Sequence, residues 1–379
     1  MTGDQTVPTP ATRGFRMPGE FAPQDGCWMI WPERPDNWRL GAKPAQAAFT
    51  AVATAIADAV PVTVAVSARQ WSNARSRLPR HVRLVEMSTN DAWMRDVGPS
   101  FVIDDAGGRL GIDWRFNAWG GFHDGLYFPW DQDDLVAAKV SEIDADGSWR
   151  APVVLEGGAI HSDGEGTVFT TAECLLSPGR NGLEGQAAVE AALGQALGAE
   201  RVIWLPRGVF LDETTGHVDN LIHVVAPGVV CLTWTDDRGD PQWERSAEAE
   251  ALLAEARDAR GRRLTVHRVH QPGPLALTAE EAAGVDVVPG SQPRLAGDRL
   301  AGSYVNFLMA HGAASGRRRI VMPLLDPARD QAAADAIAAA CPGWEILGVP
   351  GREILLGGGN VHCITQQVPA RLAGRSDRP

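Results

Sequence analysis

Cys363 is the side chain of this sequence best suited to act as a nucleophile. It follows three glycines in Gly-Gly-Gly-Asn-Val-His-Cys-Ile-Thr-Gln-Gln (357–367). Because glycine lets the backbone approach a ligand closely, we expect Gly358 to contact the substrate. The polar neighbours of Cys363 suit a reactive thiolate. Cys231, by contrast, lies in an apolar run that is typical of a structural cysteine.

His217 and Asp219 form a His-x-Asp pair that could move protons and hold a cation. If this segment is a strand, its alternation places both side chains on one face. A surface turn capped by the aspartate is one alternative. A metal site is another, since His and Asp are also metal ligands. No second histidine stands at a metal-ligand spacing, so the sequence predicts no metal.

Asp96 and Glu156 each end an apolar stretch and open a glycine turn. Taken singly, each could simply cap its turn, and Asp96 could pair with Arg95. As a set with the thiol and the histidine, extra carboxylates suit a substrate that is itself a delocalised cation, because a planar guanidinium matches carboxylates bidentately. Trp93 could face that cation, although packing in the core is the alternative.

Composition excludes several functional classes. The chain has 379 residues and a formal net charge of −12, which disfavours nucleic acid as a partner. Five cysteines without a CxxC pair indicate reduced thiols in a reducing compartment. Residues 1–16 lack the apolar segment of a secretory signal, and no apolar run approaches the roughly 20 residues of a membrane helix. We therefore expect a cytoplasmic protein with no membrane partner.

The elements that must position these residues alternate along the chain. Short apolar runs predict strands, and alanine- and charge-rich stretches predict helices over 44–59, 186–197, 245–260 and 329–340. This alternation is typical of an α/β fold. We expect one catalytic domain over 17–369, between flexible tails at 1–16 and 370–379.

Five segments also join a polar or glycine-rich start to an apolar strand. They begin near Asp96, Glu156, His217, Ser303 and Asn360. Their spacing of roughly 60 residues, with one longer gap, favours structural modules around one centre. Coincidence is the alternative, because the segments share little sequence. Nearly all the candidate catalytic residues nevertheless lie in them.

The motifs together resemble those of the agmatine deiminases of the guanidine-modifying (pentein) superfamily. The resemblance covers nearly the whole chain and is carried by these motifs: Asn-Asp-Ala-Trp-Met-Arg-Asp (90–96), Phe-Asn-Ala-Trp-Gly-Gly (116–121), Leu-Glu-Gly-Gly (155–158), Gly-His-Val-Asp-Asn (216–220), Arg-Leu-Ala-Gly (294–297), Ser-Tyr-Val-Asn-Phe (303–307) and Gly-Gly-Asn-Val-His-Cys-Ile-Thr-Gln-Gln (358–367). One departure is the stretch 310–319, which does not follow the usual pattern.

The resemblance implies five ββαβ-type modules with pseudo-fivefold symmetry around a central site. It also implies that agmatine and water give N-carbamoylputrescine and ammonia, in putrescine biosynthesis or agmatine catabolism, without a cofactor. The family's nucleophile falls on Cys363, its general acid/base on His217, and its guanidinium-binding carboxylates on Asp96 and Asp219. Glu156 matches the acidic residue that positions the substrate and the histidine.

Several alternatives stay open. A related deiminase would act on free arginine or peptidyl-arginine, and the former needs a cationic group for the α-carboxylate. A noncatalytic binding protein on the same fold would not need the complete catalytic set. A metal hydrolase would lose activity on chelation. The expected partner is a small cationic guanidine, and a homo-oligomer (dimer or tetramer) is possible.

Overall fold

The computed structural model describes residues 8–372, and they form an α/β fold, as predicted. Sixteen strands occur within this range. They are β1 Gln24–Ile30, β2 Val62–Val66, β3 Arg83–Glu86, β4 Ser100–Ile103, β5 Arg109–Arg115, β6 Ser148–Val154, β7 His161–Ser162, β8 Thr167–Thr171, β9 Arg201–Leu205, β10 Ile222–Ala226, β11 Val229–Trp234, β12 Thr265–His270, β13 Leu308–His311, β14 Arg318–Leu324, β15 Glu345–Pro350 and β16 Gln366–Pro369.

Twelve α-helices occur in the same range. They are α1 Lys43–Ala57, α2 Trp71–Arg77, α3 Met94–Val97, α4 Gly121–Asp124, α5 Val136–Asp144, α6 Ala172–Leu175, α7 Gln186–Leu197, α8 Val218–Leu221, α9 Pro241–Glu255, α10 Ala279–Ala283, α11 Asp330–Ala340 and α12 Arg352–Leu356. Four 3-10 helices, also within residues 8–372, cover Ala11–Arg13, Ala68–Gln70, Asp133–Leu135 and Gly157–Ala159. In the described part of the chain, none of the helices has both the length and the apolar character needed to cross a membrane.

The strands form five small mixed sheets over residues 8–372, in the orders β4-β5-β6, β7-β8-β9, β10-β11-β12, β13-β14-β15 and β16-β1-β2-β3. In every sheet the first strand of that order is antiparallel to the second, and the second is parallel to the third. A parallel pair needs a long crossover connection, which helices supply. Helices α1, α5, α7, α9 and α11 occupy these connections.

The four predicted helices are all present, and α7 has the predicted bounds. Helix α9 begins four residues earlier than predicted, at Pro241. The Asp240 side chain accepts a hydrogen bond from the backbone N–H of Gln242, and Pro241 occupies the first turn. Both features start helices, because the cap satisfies a free N–H and proline presets the backbone. The sequence therefore contained the correct start.

Each of the five segments singled out in the sequence leads into the first strand of a sheet: β4, β7, β10, β13 or β16. The local structure at His217 and Asp219 differs from the prediction. His217 precedes the one-turn helix α8, and Asp219 lies inside that helix, so strand alternation does not bring the two together. Asp96 likewise lies in the one-turn helix α3. Tight helical turns, not strand ends, present these side chains.

The N-terminal boundary also differs from the prediction. Phe15 is buried in an apolar cluster with Val102 and Leu110, and the backbone of Arg16 pairs with Ile103. Phe15 and Arg16 therefore pack against the fold, although both belong to the predicted tail, and the flexibility of that tail stays a prediction. Residues 1–7 and 373–379 of the predicted tails lie outside the described residues. The single domain over 17–369 stays a prediction.

Candidate active site

Three predicted site residues converge on the backbone at Gly158. A methyl group added there would lie 2.7 Å from His217 Nδ1, 2.8 Å from Asp96 Oδ1 and 2.9 Å from Asp219 Oδ2. Real Cβ atoms essentially never approach other atoms this closely. Glycine at 158 therefore leaves the space in which an imidazole and two carboxylates meet.

Cys363 lies beside Asp219 at the same centre and is 4 % exposed. Its Sγ is 3.7 Å from Asp219 Oδ2, and Asn306 Nδ2 donates a hydrogen bond of 3.2 Å to Sγ. Burial and the charges of Asp219 and Asp96 raise the pKa of the Cys363 thiol well above its usual range. The thiol is therefore protonated in the unliganded site at neutral pH.

His217 is fully buried among acidic groups. Its Nε2 is 3.3 Å from Glu156 Oε2, and its Nδ1 is 3.9 Å from Asp96 Oδ1. Burial alone would lower the pKa of His217, but Asp96 and Glu156 raise it well above the usual value. The ring is therefore an imidazolium, which can donate a proton.

Asp96 is held by a backbone donor and an indole. Gly158 N–H donates to Oδ1 at 3.0 Å, and Trp119 Nε1–H donates to Oδ2 at 2.9 Å. Burial, with the charges of Asp219 and Glu156, raises the pKa of Asp96 to about 6, against the opposing effect of His217. Asp96 is ionised above that pH and can then accept hydrogen bonds from a cation.

Asp219 and Glu156 each have a buried cationic partner. His362 Nδ1 lies 2.8 Å from Asp219 Oδ2, and Arg180 Nε donates to Glu156 Oε1 at 3.1 Å. Burial would raise both pKa values, but His362 lowers that of Asp219 and Arg180 lowers that of Glu156. Both carboxylates are therefore anionic at neutral pH.

A pocket leads from the surface to this centre. Its lining includes Asp96 and Cys363, together with Trp93 and Gly358. His217, Asp219 and Glu156 do not line it and lie behind its floor, each with essentially no exposure.

Trp93 and Gly358 contact the pocket in different ways. Trp93 packs against Trp38, with ring centroids 5.1 Å apart, while its indole N–H donates to Asp91. It is therefore both a core residue and a wall of the pocket. Gly358 has a φ of +108°, and a Cβ there would lie 2.6 Å from Glu213 Oε2. Both predicted substrate-binding positions thus reach the pocket.

Three contacts at the centre involve residues to which sequence reasoning assigned no role: Asn306 on Cys363, Trp119 on Asp96 and Arg180 on Glu156. Asn306 and Trp119 belong to motifs that the sequence analysis quoted, so a signal existed for them. Arg180 lies in no such motif. Its contact with Glu156 arises from tertiary packing.

A buried histidine cluster lies behind the site. His161, His223 and His362 each place a ring nitrogen within 4.8 Å of the others, and Glu156, Cys174 and His217 form a second group of this kind. The three histidines could not be grouped by their spacing in the sequence, because they belong to three different sheets: His161 lies in β7, His223 lies in β10, and His362 precedes β16.

Known proteins resemble this chain along nearly its whole length. The family described as Porphyromonas-type peptidyl-arginine deiminase matches residues 16–369. An agmatine deiminase from Pseudomonas aeruginosa (strain LESB58) is 56% identical over 364 residues, covering 96% of this chain and 97% of the relative. An agmatine deiminase from Ectopseudomonas mendocina (strain ymp) is 54% identical over 364 residues, with the same two coverages.

A solved structure described as the agmatine deiminase of Enterococcus faecalis catalysing its reaction superposes with a TM-score of 0.92. It is 47% identical in sequence, and the match covers 97% of this chain and 99% of that one. The likeness therefore extends to the course of the backbone over nearly all of the described residues.

Proposed function

The chain belongs to the Porphyromonas-type peptidyl-arginine deiminase family, and from this premise we propose that it is an agmatine deiminase. It hydrolyses a C–N bond of agmatine to give N-carbamoylputrescine and ammonia. The observation that carries this function is the Cys363 thiol beside two carboxylates, Asp219 and Asp96, with the His217 imidazolium in contact with the second. A thiol so placed would be a poor nucleophile without a cationic substrate.

The fold supports the five-module arrangement that we propose for this site. Each sheet combines an antiparallel and a parallel pair, with a helix in the crossover, which is a ββαβ unit. We infer that the units are repeats with pseudo-fivefold symmetry about the active site. The segment leading into each unit contributes a residue to the centre, namely Asp96, Glu156, His217 with Asp219, Asn306, and Cys363.

Substrate binding activates the nucleophile. Asp96 and Asp219 accept hydrogen bonds from the guanidinium, whose planar fork matches carboxylates. The cation offsets the two negative charges that hold the Cys363 thiol protonated, so the pKa of the thiol falls. Its proton passes to water in the pocket that Cys363 lines, because His217 is already protonated. The thiolate then attacks the guanidinium carbon.

His217 moves the protons of the two half-reactions. As an imidazolium it protonates the departing amine, which leaves as ammonia, and an amidino group stays bonded to Cys363. A water molecule then attacks this carbon, neutral His217 takes its proton, and the Cys363 thiolate is released. Glu156 fixes the ring by its 3.3 Å contact with Nε2 and stabilises the protonated form.

The pocket favours agmatine over free arginine. Three arginines line it, and each already has an acidic partner: Arg34 with Asp36, Arg294 with Glu213, and Arg299 with Asp240. An α-carboxylate entering the pocket would have to displace one of these anions. Agmatine has the same amine but lacks the carboxylate, so it makes no such demand.

The test is ammonia release from agmatine, arginine and a blocked arginine. We expect release from agmatine and at most slow release from the other two. Cys363→Ala should abolish turnover while the melting temperature stays close to that of the wild type. A variant that retained a tenth of the wild-type rate would have lost only about 1.4 kcal/mol of barrier stabilisation, and Cys363 would then not be the nucleophile.

A further inference from the structure

Glu20 lies in the segment before β1 and is 2 % exposed. Its carboxylate is 2.9 Å from His362 Nε2 through both oxygens and accepts a hydrogen bond of 3.1 Å from Arg95 Nη1. Two further histidines approach it without hydrogen bonding: His161 Nδ1 at 3.8 Å and His223 Nε2 at 3.8 Å. A buried carboxylate with this many cationic or titratable neighbours organises the groups around it.

The two hydrogen-bonded partners of Glu20 adjoin the chemistry. His362 immediately precedes Cys363, and its Nδ1 contacts Asp219 Oδ2 at 2.8 Å. Arg95 immediately precedes Asp96, and its backbone N–H donates to the carbonyl of Cys363 at 3.0 Å. A single acidic side chain from the N-terminal segment is thus joined to the neighbours of both the nucleophile and a cation-binding carboxylate.

The His362 ring lies between two carboxylates, Glu20 at one nitrogen and Asp219 at the other. Both nitrogens must carry a proton for the ring to donate in both directions, so the arrangement selects the imidazolium. Burial and Arg95 oppose this charge, but Glu20 and Asp219 outweigh them, and the pKa of His362 is raised. His161, in the same cluster, has its pKa lowered to about 4, chiefly by burial, and is neutral.

We propose that Glu20 and His362 are positioning residues of the deiminase reaction, which together keep the Asp219 carboxylate anionic and fixed beside the Cys363 thiol. This inference rests on the proposed function. Glu20 acts on Asp219 through His362, and neither residue lines the pocket. Their role is to orient Asp219, the carboxylate that binds the substrate. Outer hydrogen-bond partners orient functional side chains in the same way in other sites.

The charge of Asp219 depends on several groups. The His362, His217 and His161 rings face it, and Asp96 and Cys363 lie on its pocket side. His362 makes the shortest contact and lowers the pKa of Asp219, so the anion persists as the pH falls. Without the His362 cation, Asp219 takes up a proton at a higher pH than in the wild type. The acid limb of kcat/KM reflects Asp96 in the wild type. In the variants it should depend on the ionisation of both Asp96 and Asp219, so its midpoint should move to higher pH.

The test compares Glu20→Gln and His362→Gln with a control, His267→Gln, a partly buried histidine in β12 that lies outside the cluster. Each variant is assayed for kcat and KM on agmatine across pH, and its melting temperature is measured. We expect His362→Gln to lose roughly tenfold or more in kcat/KM and to shift the acid limb upward. Glu20→Gln should lose less in the same direction. The control should leave the position of the limb unchanged, even if its melting temperature falls.

A second measurement does not depend on turnover. In the nitrogen-15 spectrum of histidine-labelled wild-type protein, His362 should remain an imidazolium well above the ordinary histidine pKa of about 6.5. The signal that is missing from the spectrum of His362→Gln identifies His362, and this signal should titrate at lower pH in Glu20→Gln. If the wild type does not release ammonia from agmatine, the proposed function is wrong. The titration of His362 would then still test whether Glu20 and His362 form a charged pair. Titration of His362 near 6.5, or an acid limb that the variants leave in place, would overturn the inference.

Discussion

At the scale of single residues, the site stabilises buried carboxylates through neighbouring cations and N–H donors. Asp96, Asp219 and Glu156 are buried, and isolated buried carboxylates are costly unless paired and hydrogen-bonded. Glu156 has Arg180, and Asp219 has His362, whereas Asp96 is held mainly by uncharged N–H donors. Of the three carboxylates, Asp96 is therefore the one whose pKa is raised. A bound cation would stabilise its anionic form more than that of the other two, which already have cationic partners.

The pH dependence of substrate capture follows from this difference. Asp96, with a pKa of about 6, should lose its charge as the pH falls through 6, and kcat/KM for agmatine should fall with it. In Asp96→Asn this limb should disappear, with a loss of ~2–5 kcal/mol in transition-state stabilisation. In Asp219→Asn the limb should move to lower pH, because the Asp219 charge helps raise the pKa of Asp96.

Asp335→Asn, on the exposed face of α11, is the control for these two variants and should match the wild type. Steady-state kinetics between pH 5 and 9 (about two units around neutrality) would check all three. If Asp96→Asn melted early but turned over agmatine normally, Asp96 would be a structural cap and not part of the site.

At the scale of elements, short helical turns present the reactive groups. Helices α3 and α8 and the 3-10 helix Gly157–Ala159 each span a single turn and lead into a strand. A single turn fixes the direction of a side chain relative to the strand that follows it. The 3-10 turn also brings the backbone of Gly158 against His217 and the two aspartates.

Gly158→Ala tests this close approach. The added methyl group would lie within 3 Å of three site side chains, so we expect loss of most agmatine turnover. Gly194→Ala is the matched control: it lies inside α7, where the nearest atom to the new Cβ is 3.4 Å away, and alanine favours helix by roughly 1 kcal/mol. Kinetics and thermal melting distinguish the two. Wild-type activity in Gly158→Ala would mean that the three side chains do not meet at this point during the reaction.

At the scale of the whole molecule, the two ends of the chain complete one sheet. Strand β16 pairs with β1 in antiparallel register, from Gln24 opposite Pro369 to Trp28 opposite Gln366. Cys363 lies directly before β16, and Glu20 lies directly before β1. Because the pair is antiparallel, the residues that precede its two strands lie at opposite ends of it, so the contact of Glu20 with His362, next to the proposed nucleophile, is a separate link between the same two segments.

Removal of β16 tests this closure. A chain ending at Thr365 would leave one edge of β1 unpaired, and it would expose the residues against which Val368 is buried. An unpaired strand edge also promotes association between chains. We expect a lower melting temperature, a tendency to associate, and no turnover. A chain ending at Leu372 is the comparison and should behave as the full sequence does. Melting curves and size-exclusion chromatography measure both. Equal melting temperatures for the two chains would show that this pairing does not support the fold.

The amino-acid sequence by itself determined the fold class, four of the five crossover helices (all but α5) and the residues that meet at the centre. Their signals are local: apolar periodicity, helix-forming composition, and motifs in which glycine adjoins a reactive side chain. The structure alone decided the partners of those residues. Arg180 on Glu156, Asn306 on Cys363, and Glu20 on His362 join positions 24, 57 and 342 residues apart. No local pattern encodes such pairs, because tertiary packing brings together segments that are distant in the sequence, and that packing sets the charge on each proposed catalytic group.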